Sequence, residues 1–252
     1  VGCSTCRPDY RKKLIKYLTE YQEELCDLCV RRTASNPLRV LDCKNPGCRA
    51  VLVNAPKPAE YLCDECDAHF REVQGLLEAL AIPFSVKPFL VRGLDYYTSI
   101  VFEVSGPSLG AQDTVAGGGR YDTLIEELGG PDLGASGFSI GLERLLLGLA
   151  GSEIPDPIPP LGSLYLVTVS PEAFRSNFVL LSTLRREGFS AIMDYQGRSM
   201  KAQMREANRR GVDYVLIRGE DEMANGGVKL KNMKNGEERF VLEEEVSEKL
   251  KD

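Results

Sequence analysis

The placement of the cysteines constrains this chain more than any other feature. All eight lie within the first 66 of its 252 residues. They form four close pairs, which are Cys3/Cys6, Cys26/Cys29, Cys43/Cys48 and Cys63/Cys66. Three pairs have the spacing C-x-x-C and one has C-x4-C, spacings that let a tight turn aim two thiolates at one tetrahedral Zn²⁺. A disulfide framework is the alternative, but it suits a small secreted domain better than a chain with a long cysteine-free remainder.

A predicted helix limits which pairs can share one ion. Apolar residues recur at helical spacing from Pro8 to about Leu25, and a helix of that length spans ~27 Å at 1.5 Å per residue. The pairs at its two ends, Cys3/Cys6 and Cys26/Cys29, therefore cannot bind the same ion. The nested arrangement gives an outer cluster of Cys3, Cys6, Cys63 and Cys66 and an inner cluster of Cys26, Cys29, Cys43 and Cys48. The crossed arrangement, which joins Cys3/Cys6 to Cys43/Cys48, stays open.

The only histidine, His69, follows Cys66 by three residues on a helix predicted from Asp64 to Leu80. It could serve as a spare metal ligand. Four thiolates already close the outer cluster, however, so a surface or core position is the more frequent case for such a residue.

The composition indicates a globular protein rather than a disordered or fibrous one. Hydrophobic residues make up 43% of the chain, and its formal net charge is −6. At about 150 residues per domain, the length corresponds to two folded units. The longest apolar stretch, near Leu145 to Ala150, is far shorter than the ~18 residues of a membrane helix, so no membrane partner is expected. Because the chain is acidic, any nucleic-acid binding must depend on local basic patches.

The order of predicted elements divides the chain into three parts and a linker. Residues 1–82 are predicted to form a helical, cysteine-rich module. Residues 83–153 contain β-branched and aromatic runs, with two strands expected in 84–105 and further strands after them. Residues 154–160 form a proline-rich linker. Strands and helices alternate in residues 161–252, which predicts an α/β domain with a largely parallel sheet.

Two arginines and a glycine run are candidates for binding an anionic ligand. Gly117–Gly119 match neither the Walker loop nor the G-x-G-x-x-G motif, the two standard nucleotide-binding loops. A triple glycine lets a strand approach a flat ligand closely, and a tight turn is the equal alternative. Arg144 lies in the first turn of a predicted helix, where a cation opposes the macrodipole but suits a bound phosphate. A surface salt bridge is its alternative. Arg92, before Gly93, is the second candidate cation.

Tyr96 and Tyr97 are adjacent residues of a predicted strand. Successive side chains of a strand point to opposite faces. We therefore expect at most one of the two tyrosines in the core and the other at a cleft.

Two basic runs stand out against the acidic background. The first includes Arg11 and Lys12. The second includes Lys201, Arg205 and Arg209, which fall at i, i+4 and i+8 of a predicted helix and form one stripe suited to an RNA backbone. Solvated basic helix faces are common, so the charges alone do not establish RNA binding.

Several blocks of the sequence resemble histidyl-tRNA synthetases, a family of class II aminoacyl-tRNA synthetases. Residues 91–98 (VRGLDYYT, followed by VFE at 101–103) and 117–122 (GGGRYD) resemble the two histidine-specific signatures. Residues 137–145 (GFSIGLERL) resemble the third class II motif. The cysteine pairs, with NPLRVLD at 36–42, resemble the insertion domain between the second and third motifs, and the last ~90 residues resemble the anticodon-binding domain. The resemblance implies an α+β fold, part of the class II antiparallel sheet with a helical insertion, followed by an α/β domain.

The resemblance also implies roles for individual residues. Arg92 would contact the α-phosphate and the substrate carboxylate, and Arg144 would hold the γ-phosphate. Tyr97 would hydrogen-bond the substrate imidazole. The remaining residues implied to bind substrate are Tyr96, Gly118, Gly119, Tyr121 and Gly141, with the glycines lining the adenylate floor. The implied partners are L-histidine, ATP with Mg²⁺, and tRNA(His).

The first two class II motifs have no counterpart in the sequence. We therefore expect a C-terminal segment of a longer, cytoplasmic and homodimeric histidine–tRNA ligase that is incomplete as an enzyme by itself. A catalytically silent synthetase-like paralogue with a tRNA-binding or regulatory role is the alternative. The related regulatory subunit of ATP phosphoribosyltransferase generally lacks the insertion and the anticodon domain, which argues against that form of the alternative.

Overall fold

The computed structural model describes residues 1–91, 96–106, 109–110, 113–150 and 160–251. The chain divides into two compact units, Val1–Leu77 with Pro83–Ile154, and Glu78–Ile82 with Pro155–Asp252. The predicted cation Arg92 and nearly all of the predicted linker at 154–160 lie outside the described residues. In the described part of the chain, no helix is long and apolar enough to cross a membrane.

Four helices and three 3-10 turns build the cysteine-rich part of the first unit. The helices are α1 (Arg7–Glu20), α2 (Asp27–Ser35), α3 (Pro46–Leu52) and α4 (Asp64–Ala79). The turns are Gln22–Glu24, Pro37–Asp42 and Pro58–Tyr61. The first helix ends at Glu20 rather than near Leu25. Acidic side chains at 20, 23 and 24, with no basic residue in the last turn, oppose the helix macrodipole there.

One face of α1 forms the centre of this module's core. Tyr10, Leu14 and Leu18 recur every four residues and are almost fully buried. They pack with Leu38, Val40, Leu41, Val51, Leu52 and two cysteines of the inner cluster, Cys29 and Cys48. The inner cluster is therefore part of an apolar core.

A three-stranded antiparallel sheet completes the first unit. Its strands are β1 (Thr98–Ser105), β2 (Thr114–Arg120) and β3 (Ser136–Ile140), in the order β1-β2-β3. Two helices follow the strands, α5 (Leu124–Glu127) and α6 (Leu142–Leu149). The glycine run lies inside the central strand, so the tight-turn alternative is wrong.

The prediction of two strands in residues 84–105 is wrong for the described residues. Only β1 forms there, and residues 83–91 contain no strand. Pro83 and Pro88 lack the backbone N–H that a paired strand donates, which works against strand formation in this segment.

The second unit is an α/β domain with a five-stranded mixed sheet. Its strands are β4 (Ser163–Thr168), β5 (Ser190–Met193), β6 (Tyr214–Arg218), β7 (Gly227–Asn232) and β8 (Glu238–Leu242), in the order β5-β4-β6-β7-β8. Its helices are α7 (Ala173–Arg186), α8 (Met200–Arg210), α9 (Glu220–Ala224) and α10 (Val246–Lys249).

Only part of this sheet is parallel, which corrects the predicted largely parallel arrangement. β4 pairs in parallel with β5 and β6, whereas β6, β7 and β8 pair antiparallel. A parallel connection needs a crossover of about a dozen residues or more. The segments that join β6 to β7 and β7 to β8 are shorter than that, so the chain can only turn back beside itself.

Candidate functional site

Three tyrosine rings pack together at the start of β1 and the end of β2. The ring centroids of Tyr96 and Tyr97 lie 4.9 Å apart, and Tyr121 lies edge-on to them at 5.6 and 6.2 Å. Tyr97 is buried, and Tyr96 and Tyr121 are partly exposed. We call these three residues the tyrosine cluster. As expected, only one of the two adjacent tyrosines, Tyr97, is buried. Their rings nevertheless lie side by side rather than on opposite faces, because both residues precede the first residue of β1 and do not follow strand alternation.

Glycines make room for the tyrosine cluster. A Cβ on Gly119 would lie 2.8 Å from the Tyr97 ring and 2.5 Å from the Ile100 carbonyl oxygen. A Cβ on Gly137 would lie 2.2 Å from the Tyr121 hydroxyl, and one on Gly118 would lie 2.2 Å from the Gly137 carbonyl oxygen. Neighbouring strands and rings thus approach too closely at these positions for any side chain.

A pair of hydrogen bonds fixes β1 to the residue after Tyr121. The Thr98 hydroxyl donates to Asp122 Oδ2 at 2.9 Å, and the Asp122 N–H donates to Thr98 Oγ1 at 3.0 Å. Arg120 Nε donates to the other oxygen of the same carboxylate at 2.6 Å. Thr98 and Asp122 were not among the predicted site residues, although both lie within the sequence blocks that carry the family resemblance.

The structure describes the positions of only some of the predicted phosphate-binding residues. Arg144 lies in the first turn of α6, as predicted, and its Nη1 donates to the Thr114 carbonyl oxygen at 3.3 Å. Gly141 precedes this helix, and its N–H donates to the Val115 carbonyl oxygen at 2.9 Å. These contacts seat the start of α6 against β2, while Arg92 lies outside the described residues.

The cysteines form the two four-sulfur clusters of the nested arrangement. Within each cluster the sulfur atoms all lie within 4.8 Å of one another. In the outer cluster the Cys3 sulfur is 3.7 Å from that of Cys6 and 3.8 Å from that of Cys63, and the Cys6 and Cys66 sulfurs are 3.9 Å apart. A tetrahedral zinc thiolate with Zn–S bonds of about 2.3 Å separates its sulfurs by about 3.8 Å. The residues present therefore fit such an ion.

Each cluster combines one thiol whose pKa is lowered with one whose pKa is raised. Burial opposes ionisation of Cys3, but hydrogen bonds from the backbone of Cys6 and Thr5 outweigh it and lower the pKa of Cys3 to about 6. Hydrogen bonding, chiefly from the Cys29 backbone, lowers the pKa of Cys26 to about 7. Burial raises the pKa of Cys66 to about 12 and also raises that of Cys29. A bound cation favours the thiolate form of its cysteine ligands.

The predicted RNA-binding residues are exposed on two helices. Arg11 and Lys12 lie on α1, where Lys12 pairs with Asp9 at 3.2 Å. Lys201, Arg205 and Arg209 lie on the exposed side of α8.

Glu206 changes the electrostatics of the stripe on α8. Its carboxylate accepts hydrogen bonds from Arg209 and from Arg210, which lower its pKa to about 2. Glu206 therefore stays ionised and offsets positive charge at the C-terminal end of the helix. Lys201 and Arg205 lie nearer the other end of the stripe.

Comparison with known proteins decides the family. A profile described as histidyl-tRNA synthetase matches residues 12–145. The chain belongs to the histidyl-tRNA synthetase family. A second profile, described as an anticodon-binding domain, matches residues 164–252. The predicted fold, a partial class II sheet with a helical insertion followed by an α/β anticodon-binding domain, is confirmed.

Similar proteins cover nearly the whole of this synthetase-family chain. The histidine–tRNA ligase of Halothermothrix orenii is 44% identical over 242 residues, which are 96% of this chain and 58% of that protein. That of Caldanaerobacter subterraneus subsp. tengcongensis is 46% identical over 253 residues, covering 100% of this chain and 60% of that protein. The crystal structure of apo S. aureus histidyl-tRNA synthetase is 33% identical, with a TM-score of 0.47, and aligns over 100% of this chain and 62% of that one. The chain spans about three fifths of the length of the curated relatives it matches.

Proposed function

We propose that this chain is the part of a histidine–tRNA ligase that binds histidine and the adenylate and contacts tRNA(His). The observation that carries the proposal is the tyrosine cluster, built from the two sequence blocks that resemble histidine-specific signatures. Aromatic rings and phenol hydroxyls are the kinds of group that stack on and hydrogen-bond an imidazole. Tyr96 and Tyr121 are partly exposed, whereas Tyr97 is buried. Retention of these tyrosines and of Arg144 favours an enzyme over a silent paralogue.

The reaction joins the histidine carboxylate to the α-phosphate of ATP, releases pyrophosphate, and then transfers the histidyl group to tRNA(His). Arg92 and Arg144 supply positive charge to the phosphates, and Mg²⁺ would accompany ATP. Gly118, Gly119 and Gly141 border the adenylate. Catalysis of this kind consists mainly of positioning and charge stabilisation, and one such electrostatic contact contributes about 3 to 4 kcal/mol.

An exposed apolar surface supports the proposal that further polypeptide is needed for activity. Phe138 of β3 is 68% exposed, and Leu142 and Leu146 of α6 are 67% and 65% exposed. Exposed apolar patches mark surfaces that contact protein, membrane or ligand, and we take the contact here to be further polypeptide. We expect the 252-residue chain alone to lack histidine-dependent ATP–pyrophosphate exchange.

The test is that exchange reaction, measured in a longer protein that contains this chain. Arg92→Ala should lower kcat by a factor on the order of 10² or more, as expected for removal of an electrostatic transition-state contact. Lys87→Ala removes an exposed cation from the same segment and is the matched control. Exchange by the chain alone that Arg92→Ala abolishes would contradict the requirement for further polypeptide. Normal exchange in the Arg92→Ala variant would contradict the role of Arg92.

We also propose that each cysteine cluster binds one structural Zn²⁺. The outer sulfur separations match a tetrahedral thiolate site, and a structural ion adds stability to a module of about 80 residues whose core is small. Metal analysis of protein prepared without added zinc should find two ions per chain. Absence of metal, with eight thiols that react freely in the native protein, would exclude this role.

Finally, we propose that the α/β domain contacts the anticodon region of tRNA(His), while the basic end of α1 faces the acceptor arm. The exposed cations of α8 support an electrostatic contact with the RNA backbone. A homodimeric state and a cytoplasmic location rest on family membership. Light scattering on the longer protein tests the dimer.

A further inference from the structure

The first residues of the chain hold the beginning of β1. The Ser99 N–H donates to the Gly2 carbonyl oxygen at 2.9 Å. In return, the Val1 nitrogen donates to the Ser99 carbonyl oxygen, also at 2.9 Å. These two bonds form an isolated antiparallel bridge between Gly2 and Ser99. Both backbone polar groups of Ser99 are therefore used by residues 1 and 2.

Ser99 is itself in a strained conformation. Its φ of +50° lies in the left-handed region, which L residues other than glycine rarely adopt. The pairing of β1 with β2 shifts register between Thr98 and Val101, so Ser99 lies in a bulge of the strand. Such a conformation persists only where the surroundings enforce it. Ser99 pairs with Gly2 at the point where the register of β1 on β2 shifts.

A hydrogen bond from Arg7 also connects residues 1–7 to the tyrosine cluster. Arg7 Nη1 donates to the Tyr97 carbonyl oxygen at 2.9 Å. Arg7 and Gly2 thus hold two residues of the short stretch that sets the position of the Tyr97 ring. A displacement at either contact would be transmitted directly to that ring.

The segment is in turn anchored by the outer cluster. Cys3 and Cys6 lie between Gly2 and Arg7 in the chain, and their sulfurs face those of Cys63 and Cys66 from the start of α4. Gly2 has a φ of +77°, and a Cβ there would lie 2.8 Å from the Cys6 sulfur. The backbone thus passes directly from the sulfur cluster to the bridge with Ser99, with no room for a side chain between them.

We propose that the outer cluster positions the tyrosine cluster, which is the proposed histidine site. Binding of one thiophilic divalent cation, with Zn²⁺ as the ion tested, fixes residues 1–7, and these hold the Ser99 bulge and Tyr97 in place. Arg7 is a positioning residue. The inner cluster is different, because Cys29 and Cys48 are buried in the module's own apolar core. The assignment of the pocket to histidine rests on the proposed function, whereas the mechanical link does not.

The link is tested by amide hydrogen exchange on the zinc-loaded 252-residue chain. Cys63→Ser/Cys66→Ser removes half of the outer cluster, and Cys43→Ser/Cys48→Ser is the matched change in the inner cluster. We expect the outer variant to lose one zinc and to exchange the Ser99 amide at least about tenfold faster than the inner variant. The Tyr121 amide, which donates to the Ala135 carbonyl oxygen at 2.8 Å, reports whether the sheet is intact. Equal Ser99 exchange rates in the two variants, with Tyr121 still protected in both, would overturn the proposal.

Arg7 provides a second test that leaves every thiol in place and decides the case if a serine variant unfolds. In the longer protein, Arg7→Ala should keep its zinc, raise KM for histidine several-fold and leave KM for ATP nearly unchanged. Arg7→Lys, which retains a donor, should recover part of the loss. An unchanged KM for histidine in an Arg7→Ala variant would overturn the positioning role. Failure of the proposed function would instead appear as no histidine-dependent exchange by the unaltered protein.

Discussion

Gly137→Ala is a sharp test of how the tyrosine cluster is built. Gly137 pairs with Gly119 across the β2–β3 ladder. An added Cβ would lie 2.2 Å from the Tyr121 hydroxyl and 3.3 Å from the ring carbon that bears it. Non-bonded heavy atoms settle at about 3.5 Å or more, so the hydroxyl must retreat by roughly 1 Å. Because the nearest atom is the end of a side chain and not backbone, the sheet can survive this change.

The expected cost follows from that contact. Adding one methyl group to a packed site costs about 1 to 3 kcal/mol. Tyr121 also packs edge-on against Tyr96 and Tyr97, and each aromatic pair contributes about 0.5 to 1.5 kcal/mol. We expect Gly137→Ala to lower the free energy of unfolding by about 2 kcal/mol. Tyr121→Phe removes the clashing oxygen, so the double variant should show a favourable coupling energy of about 1 kcal/mol or more.

The assay is a double-mutant cycle read by native-state hydrogen exchange at the amides that pair β2 with β3. Gly141→Ala is the matched control without a clash, because a Cβ there would meet nothing closer than 3.6 Å. Its cost, up to about 1 kcal/mol, should come only from the N-cap of α6. In the longer protein, Gly137→Ala should also raise KM for histidine, since Tyr121 is displaced. A neutral Gly137→Ala variant, or no coupling with Tyr121→Phe, would refute the packing argument.

Three further predictions concern the metal, the RNA and the pH dependence of stability. Chelation of zinc should lower the helix signal in far-ultraviolet circular dichroism, because both clusters join separate helices; an unchanged spectrum after verified metal loss would contradict this. Lys201→Ala/Arg205→Ala should reduce the slope of log binding constant against log salt by about 1.4 for an anticodon stem-loop of tRNA(His). The control variant, Arg209→Ala/Arg210→Ala, should reduce this slope less, because its two cations are paired with Glu206. Hydrogen bonds from the Ser163 backbone and hydroxyl lower the pKa of Asp213 in the folded state. These bonds therefore stabilise the fold above the unfolded-state pKa of about 3.9, and the stabilisation is lost as pH falls through the folded-state pKa. Asp213→Asn should therefore cost about 1 kcal/mol in urea denaturation at pH 7 and clearly less near pH 3.

The grouping of the cysteines was largely readable from the sequence. A helix is a rigid spacer of known length, so the pairs at the two ends of α1 had to lie in different clusters. The observed helix is shorter than predicted, but it still separates Cys3/Cys6 from Cys26/Cys29. The choice between the nested and crossed arrangements depended on the path of the later turns. The observed pairing of sulfurs is the nested one.

The site was less readable because its geometry comes from tertiary contacts. Nothing in the sequence near Ser99 indicates a left-handed residue, since serine has no preference for that conformation. Tertiary contacts also explain why the predicted strand alternation does not extend to Tyr96 and Tyr97. The Tyr97 carbonyl oxygen and Ser99 contact Arg7 and Gly2, which lie about 90 residues earlier in the chain. Local patterns cannot report contacts of that sequence separation.

The bulge at Ser99 and the glycine run in β2 both lie where β1 approaches β2 closely. The Ile100 carbonyl oxygen, just beyond the bulge, would lie 2.5 Å from a Cβ placed on Gly119. The Tyr97 ring would lie 2.8 Å from the same Cβ. Any side chain at 119 would push β1 away from β2 and separate Tyr97 from Tyr121. On the other side of β2, Gly118 and Gly137 let β3 approach closely enough for Tyr121 to lie against it. The glycine run therefore fixes the distance between the tyrosines, which gives it a role in forming the pocket that is separate from any contact with the adenylate.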